Sequence, residues 1–182
     1  MRPRHLALPR LWLMTDERQG VALWNALNRL PRGAGVVVRH YSLPRAERLA
    51  LARRIGRRGL FVAFAGSDRD ARRAGTRAAY GPGQALHPVH NLRELAHAHR
   101  AEAALVFVSP VFPTRSHPGA RTLGPLRFAA LARRSRLPVI ALGGMTAGRF
   151  RRLVPLGAQG WAAIDGLSTG ATARVRLAAR AT

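Results

Sequence analysis

The sequence predicts an α/β fold, a compact (β/α)8 TIM barrel formed by the whole chain, residues 1–182, as one domain. Three observations predict it. Eight short apolar runs rich in valine, leucine and phenylalanine recur along the chain. Amphipathic helical stretches separate most of them, which is the rhythm of βα units around a parallel sheet. A hydrophobic content of 47% in 182 residues is enough for one good-sized core. Such barrels typically need about 250 residues, with about 200 the usual minimum. A truncated or partly open barrel is therefore the alternative to full closure.

The strands are expected at RLWLM (10–14), GVVVRH (35–40), LFVAF (60–64), TRAAY (76–80), ALHPV (85–89), ALVFV (104–108), PVIAL (138–142) and GWAAI (160–164). Gly81, Pro82 and Gly83 nearly join the fourth and fifth, leaving no room for a helix between them. Seven helices are expected elsewhere. Ser67 with Asp70 starts one, and Asn91 with Glu94 starts another, each in the spacing of a capping box. Phe128, Leu131, Ala132 and Ser135 share one helical face, while Arg127, Arg133, Arg134 and Arg136 point away, as in a helix packed on a barrel. There is no internal repeat beyond the βα rhythm and no long linker.

Composition narrows the function classes. The absence of cysteine excludes disulfides and thiolate metal sites. The N-terminus has basic residues without an apolar h-region, and no segment approaches the roughly 18 unbroken apolar residues of a membrane span. A soluble cytoplasmic protein with no membrane partner is expected. The chain carries 31 basic residues, all arginine, against 8 acidic ones. Clustered cations gain nucleic-acid affinity by releasing phosphate counterions. Here the arginines fall in scattered pairs such as Arg53–Arg54, Arg57–Arg58 and Arg133–Arg134, so specific nucleic-acid recognition is not expected. An arginine-rich polyanion binder remains an alternative.

In such a barrel the loops at the carboxyl ends of the strands make the site, and phosphate commonly sits after strands seven and eight. Those loops read GGM (143–145) and DGLS (165–168). Glycine lets the backbone approach a phosphate closely, so Gly143 and Gly144 are the first candidates. Valine at 144 would then block that approach and spare the fold, provided the backbone angles admit a side chain. The competing reading makes the two glycines a simple turn into a helix capped by Thr146. After strand six, VFVSPVFPTRSHPGARTLG (106–124) passes from a buried strand into prolines, hydroxyls, a histidine and arginines.

Together, SPVFPTRSHPGARTLG, PVIALGGM and GAQGWAAIDGLS resemble the carboxyl-terminal half of the thiamine phosphate synthase and TenI family, and LWLMTDER resembles its first strand. The resemblance runs from about His90 to Leu167 and is thin over 20–89. It implies a barrel of thiamine biosynthesis that binds small phosphorylated substrates. The family's synthases join a thiazole phosphate to hydroxymethylpyrimidine diphosphate, expelling pyrophosphate with Mg2+. TenI-type relatives isomerise a thiazole phosphate carboxylate.

By the same resemblance Thr114 and Ser116 are the hydroxyl pair that contacts phosphorylated substrates, and His117 stands where the family often has lysine. Hydroxyls donate to phosphate without burying a charge, and a protonated histidine supplies part of a lysine's attraction. Arg39 is the one survivor of a Gln-x-Arg-x-Lys pattern on strand two, with Val37 and Tyr41 at the other places. Asp68 corresponds to the first of two metal-holding aspartates, but GPGQALH has no acid for the second. Magnesium favours carboxylate and water oxygens, so that loss weakens the site. Asp165 replaces a small hydroxyl residue; its side chain is expected to turn away and cap the next turn, leaving the Gly166 or Leu167 amides for phosphate. The tautomerase histidine after strand six is Pro110 here, with His90 and His117 the nearest substitutes. Metal pairs from His87 and His90, or His97 and His99, lack further ligands nearby. The oligomeric state stays open.

Overall fold

In a computed structural model, which describes residues 8–116 and 119–168, eight parallel strands close into a barrel. They are β1 (Leu11–Met14), β2 (Gly35–Val38), β3 (Phe61–Ala65), β4 (Ala78–Tyr80), β5 (Leu86–Val89), β6 (Leu105–Val108), β7 (Val139–Leu142) and β8 (Gly160–Ala163). The α-helices are α1 (Ala22–Arg29), α2 (Arg45–Gly56), α3 (Asp68–Ala74), α4 (Leu92–Arg100), α5 (Gly124–Arg134), α6 (Ala147–Leu153) and α7 (Asp165–Ser168). Each strand pairs with the next, and β1 pairs with β8 from Leu11↔Trp161 to Leu13↔Ala163. That ladder closes the barrel and rules out the partly open form. The β4–β5 connection is a turn without a helix, and the two strands share a single paired position, Tyr80↔Leu86.

The strands are apolar on both faces because both are covered. Trp12, Met14, Val37, Phe61, Leu86, Leu105, Phe107 and Ile140 fill the barrel interior, whereas Leu13, Val36, Val38, Val62 and Phe64 point out to the helices. Trp12 anchors the inner layer, meeting Phe61 and Phe107 edge-on at 5.4 Å and donating its Nε1–H to the Pro9 carbonyl at 2.6 Å. Gly35 is glycine because a Cβ there would lie 2.2 Å from the Trp12 ring. Removing so large a buried ring from a close-packed core costs about 3–5 kcal/mol.

Caps position the helices relative to the mouth. Ser67, Asn91 and Thr146 accept from the N–H groups of Asp70, Glu94 and Arg149. The α4 box departs from the expected form: Glu94 Oε2 takes the N–H of His90, one residue before the cap, at 2.7 Å, and Oε1 takes the Asn91 side chain. On α5, Phe128, Leu131 and Ala132 are buried as expected, but the helix ends at Arg134, so Ser135 and Arg136 lie beyond it. No described helix is long and apolar enough to cross a membrane.

Candidate functional site

A cleft of about 800 Å³ opens at the carboxyl ends of the strands. Loops after β6, β7 and β8 form one wall, contributing Thr114, Ser116, Gly143, Gly144 and Gly166. The opposite wall is largely aromatic and proline-rich, with Tyr41, Tyr80, Pro82 and Pro88, and with Arg39 at its base.

The loops of the first wall are stitched together by backbone. Val111 N–H donates to Leu142 O at 2.9 Å and Phe112 N–H to Gly143 O at 3.1 Å, so the β6 loop continues the β6–β7 pairing past the strand ends. Contact this close requires the glycines. A Cβ on Gly143 would sit 2.7 Å from Pro110 Cα, one on Gly144 2.4 Å from Pro113 O, and one on Gly166 2.4 Å from Met145 O. Gly143 and Gly144 also adopt φ of 95° and 58°. Their missing side chains therefore make room for a neighbouring loop, and the backbone angles at 144 do not meet the condition under which valine would spare the fold. Among the described residues, neither Gly143 nor Gly144 N–H donates to a backbone carbonyl. Arg149 of α6 bonds the Gly144 carbonyl and lies over the Phe112 ring at 4.8 Å, bracing both loops.

Thr114 and Ser116 come together as a pair: their hydroxyl oxygens are 2.9 Å apart, and Ser116 N–H donates to Thr114 Oγ1 at 3.4 Å. Leu167 packs its side chain against the core and is not part of the cleft lining. Asp165 does line it, and accepts from Arg115 Nε at 3.2 Å across the mouth. The Asp165 carboxylate thus faces Arg115 across the mouth. His117 lies outside the described residues.

At the other side, Arg39 Nη2 donates to Asp16 Oδ2 at 3.1 Å, and both side chains are largely buried. Burial alone pushes the Asp16 carboxyl up. Hydrogen bonds from Arg18 and the charges of Arg18 and Arg39 outweigh it and hold the carboxyl below its ordinary range. Burial pushes the Tyr80 hydroxyl well above a normal tyrosine, so it stays protonated and can donate. His90 also lines the cleft, its Nδ1 bonded to Glu94 Oε2 at 2.7 Å.

Asp68 does not reach this site. It is exposed in the first turn of α3 and is not among the lining residues. No three His, Cys, Asp or Glu side chains gather as metal ligands among the described residues. Asp70 serves its helix, pairing with Arg45. Of the histidine pairs, the structure joins His87 and His97 instead, with ring centroids 5.2 Å apart. Sequence reasoning missed Asp16, Arg115 and Tyr80. Asp16 carried one signal, being among only 8 acids in a chain of net charge +23.

A family model described as thiamine monophosphate synthase matches residues 46–167. Among curated proteins, the thiamine-phosphate synthase of Salinibacter ruber is 36% identical over 91 residues, 47% of this chain and 40% of that protein. That of Geobacillus thermodenitrificans is 33% identical over 95 residues, 51% of this chain and 43% of that protein. The matches thus span about two-fifths of these relatives' own length. Among solved structures, thiamine phosphate pyrophosphorylase from Pyrococcus furiosus has the same fold, with a TM-score of 0.71 at 18% identity over 90% of this chain and 89% of that one.

Proposed function

The chain belongs to the thiamine monophosphate synthase family, and from that premise we propose that it binds a thiazole phosphate in the cleft, with weak residual capacity to couple it to hydroxymethylpyrimidine diphosphate. One observation carries this reading: loops after β6, β7 and β8, far apart in sequence, line one wall with two hydroxyls and two backbone N–H groups without a backbone carbonyl partner among the described residues. Thr114 and Ser116 would donate hydroxyl hydrogens to phosphate oxygens, and the Gly143 and Gly144 amides would donate from the facing loop. Leu142 and Ile164, which line the same cleft, would shelter an uncharged ring beside the phosphate.

The diphosphate half supports less. Tyr41 stands in the lysine position, and the Arg39 charge is already matched by Asp16. The residues present do not fit a magnesium ion held by protein carboxylates. Asp68 is outside the cleft, and Asp165, the carboxylate that lines it among the described residues, is paired with Arg115. That poverty of ligands favours a second reading, a noncatalytic phosphate-ligand binding protein. A TenI-like isomerase would use His90, the described histidine on the cleft wall, or His117, which lies outside the described residues.

Calorimetric titration of thiazole phosphate, paired with an assay for thiamine phosphate from both substrates with and without magnesium, tests the proposal. Binding with turnover far below an ordinary enzyme rate of about 10 per second is expected. Absence of thiazole phosphate binding would remove the reading, and binding without any product would leave the noncatalytic one.

A further inference from the structure

Charged side chains of alternating sign follow the barrel mouth. Arg39, after β2, donates to Asp16, after β1; the other oxygen of Asp16 takes Arg18 Nε at 2.7 Å. Arg18 in turn lies near enough to Asp165 for that carboxylate to favour its charge. Asp165, at the start of α7, takes Arg115 Nε of the β6 loop at 3.2 Å. A chain with 31 arginines and 8 acids has thus placed one of those acids, Asp165, in the lining of a cleft suited to an anion, and a second, Asp16, against the Arg39 that lines it. Carboxylates there oppose phosphate binding unless they do something else.

The two acids differ in exposure. The side chains of Asp16 and Arg39 are 9% and 16% exposed, so that pair is locked into the wall. Those of Asp165 and Arg115 are 32% and 73% exposed, and each comes from a different loop. An exposed ion pair contributes little to stability, so opening it costs little. A phosphate offers a guanidinium more charge than a carboxylate and can take it in two parallel hydrogen bonds.

We infer that Asp165 is a resident counter-anion of Arg115, and that an incoming ligand phosphate displaces it, taking over the Arg115 guanidinium. This rests on the phosphate-cleft reading above. Asp165 then determines specificity through Arg115. It satisfies the cation in the empty cleft and gives way only to an anion that binds Arg115 better. Ligands of lower charge compete poorly with it.

The test is a double-mutant cycle on the full chain: wild type, Asp165→Asn, Arg115→Met and the double variant, titrated with thiazole phosphate by calorimetry at fixed ionic strength, with thermal melts as folding control. Asp165→Ser provides a second variant at that position. Asp165→Asn is expected to bind about three- to tenfold tighter than wild type, because the guanidinium is released. With methionine at 115 the same substitution is expected to gain less than about twofold. An equal gain in both backgrounds would mean that Asp165 merely repels the ligand through space, and would overturn the exchange. No gain from either Asp165 variant, with wild-type binding intact, would also overturn it while sparing the phosphate cleft. No binding by any of the folded proteins would remove the phosphate cleft itself and this inference with it.

Discussion

His40 shows how much one residue depends on its surroundings. It follows β2 with φ of 31°, is 8% exposed, and has Nδ1 2.8 Å from Thr15 Oγ1. Thr15 Oγ1 also accepts the Arg39 N–H at 2.9 Å, so one hydroxyl ties the His40 ring to the backbone beside it. Burial disfavours the charged ring, and the Arg39 charge adds to that; Glu17 and Asp16 oppose it without prevailing, so the pKa lies below the ordinary value. The folded protein therefore refuses a proton that the unfolded chain accepts near about pH 6.5. The stability His40 contributes is complete above that pH and is lost as pH falls through the folded pKa. Urea unfolding at about pH 7.5 and 5.5 should show the wild-type unfolding free energy falling, by at most about 1.4 kcal/mol per pH unit for one proton. Asn tolerates positive φ, so His40→Asn should fold and lose part of that slope. An unchanged slope would assign the effect to His87, which burial also shifts down. Thr114 carries a prediction at the same scale. Thr114→Val keeps the shape and removes the hydroxyl, and should weaken thiazole phosphate about twofold to tenfold by calorimetry, the worth of one neutral hydrogen bond. The hydroxyl pair was named from the family resemblance of the loop; that the two side chains bond each other was visible neither in the resemblance nor in the spacing.

Between elements, the loops after β6, β7 and β8 behave as one packed unit. Gly144 illustrates the cost of disturbing it, since a Cβ there meets Pro113 O and φ is 58°. Gly148, four residues on in α6, has only Thr146 Oγ1 at 4.0 Å near its Cβ position and no φ in the left-handed region. Gly144→Ala should therefore destabilise by about 1–3 kcal/mol. Gly148→Ala, in the first turn of α6, should be neutral or stabilise by up to about 1 kcal/mol, since alanine favours the helix more than glycine does. Denaturant titration of the two variants checks the contrast, and equal midpoints would mean the loop yields freely. The Gly-Gly dipeptide was read as room for a phosphate or as a turn; the structure fills the space beside it with a neighbouring loop. What approaches it is decided by Pro110 and Pro113, more than thirty residues earlier in the chain, and no local pattern could show that.

For the molecule as a whole, closure and charge dominate. The β1–β8 ladder brings the first strand beside the last and so allows Arg18, near one end of the chain, to feel Asp165, near the other. Exposed arginines are spread over separate helices: Arg53, Arg54, Arg57 and Arg58 on and just after α2, Arg127, Arg133 and Arg134 on α5, and Arg151 and Arg152 on α6. Such a surface attracts polyanions without reading them. Two unrelated DNA duplexes should bind with equal affinity, and both affinities should fall by orders of magnitude between about 0.05 and 0.2 M salt. Sequence-selective binding that survives about 0.2 M salt, measured by fluorescence anisotropy, would contradict this and point to a built nucleic-acid site.

Eight strands, their order and the turn that replaces a helix between β4 and β5 followed from the sequence alone, because apolar runs and glycine–proline punctuation are local consequences of burial and backbone geometry. So did the caps at Ser67, Asn91 and Thr146. Asp68 was named for a local property, its position after a strand, whereas facing the cleft is a property of the loop's path in space, and that path leaves it outside the lining. The Asp165–Arg115 pair spans fifty residues, and the Asp16–Arg39 clamp spans twenty-three. Tertiary structure alone decided these, because an ion pair depends on which loops the closed barrel brings within about 4 Å, and sequence spacing carries no trace of that distance.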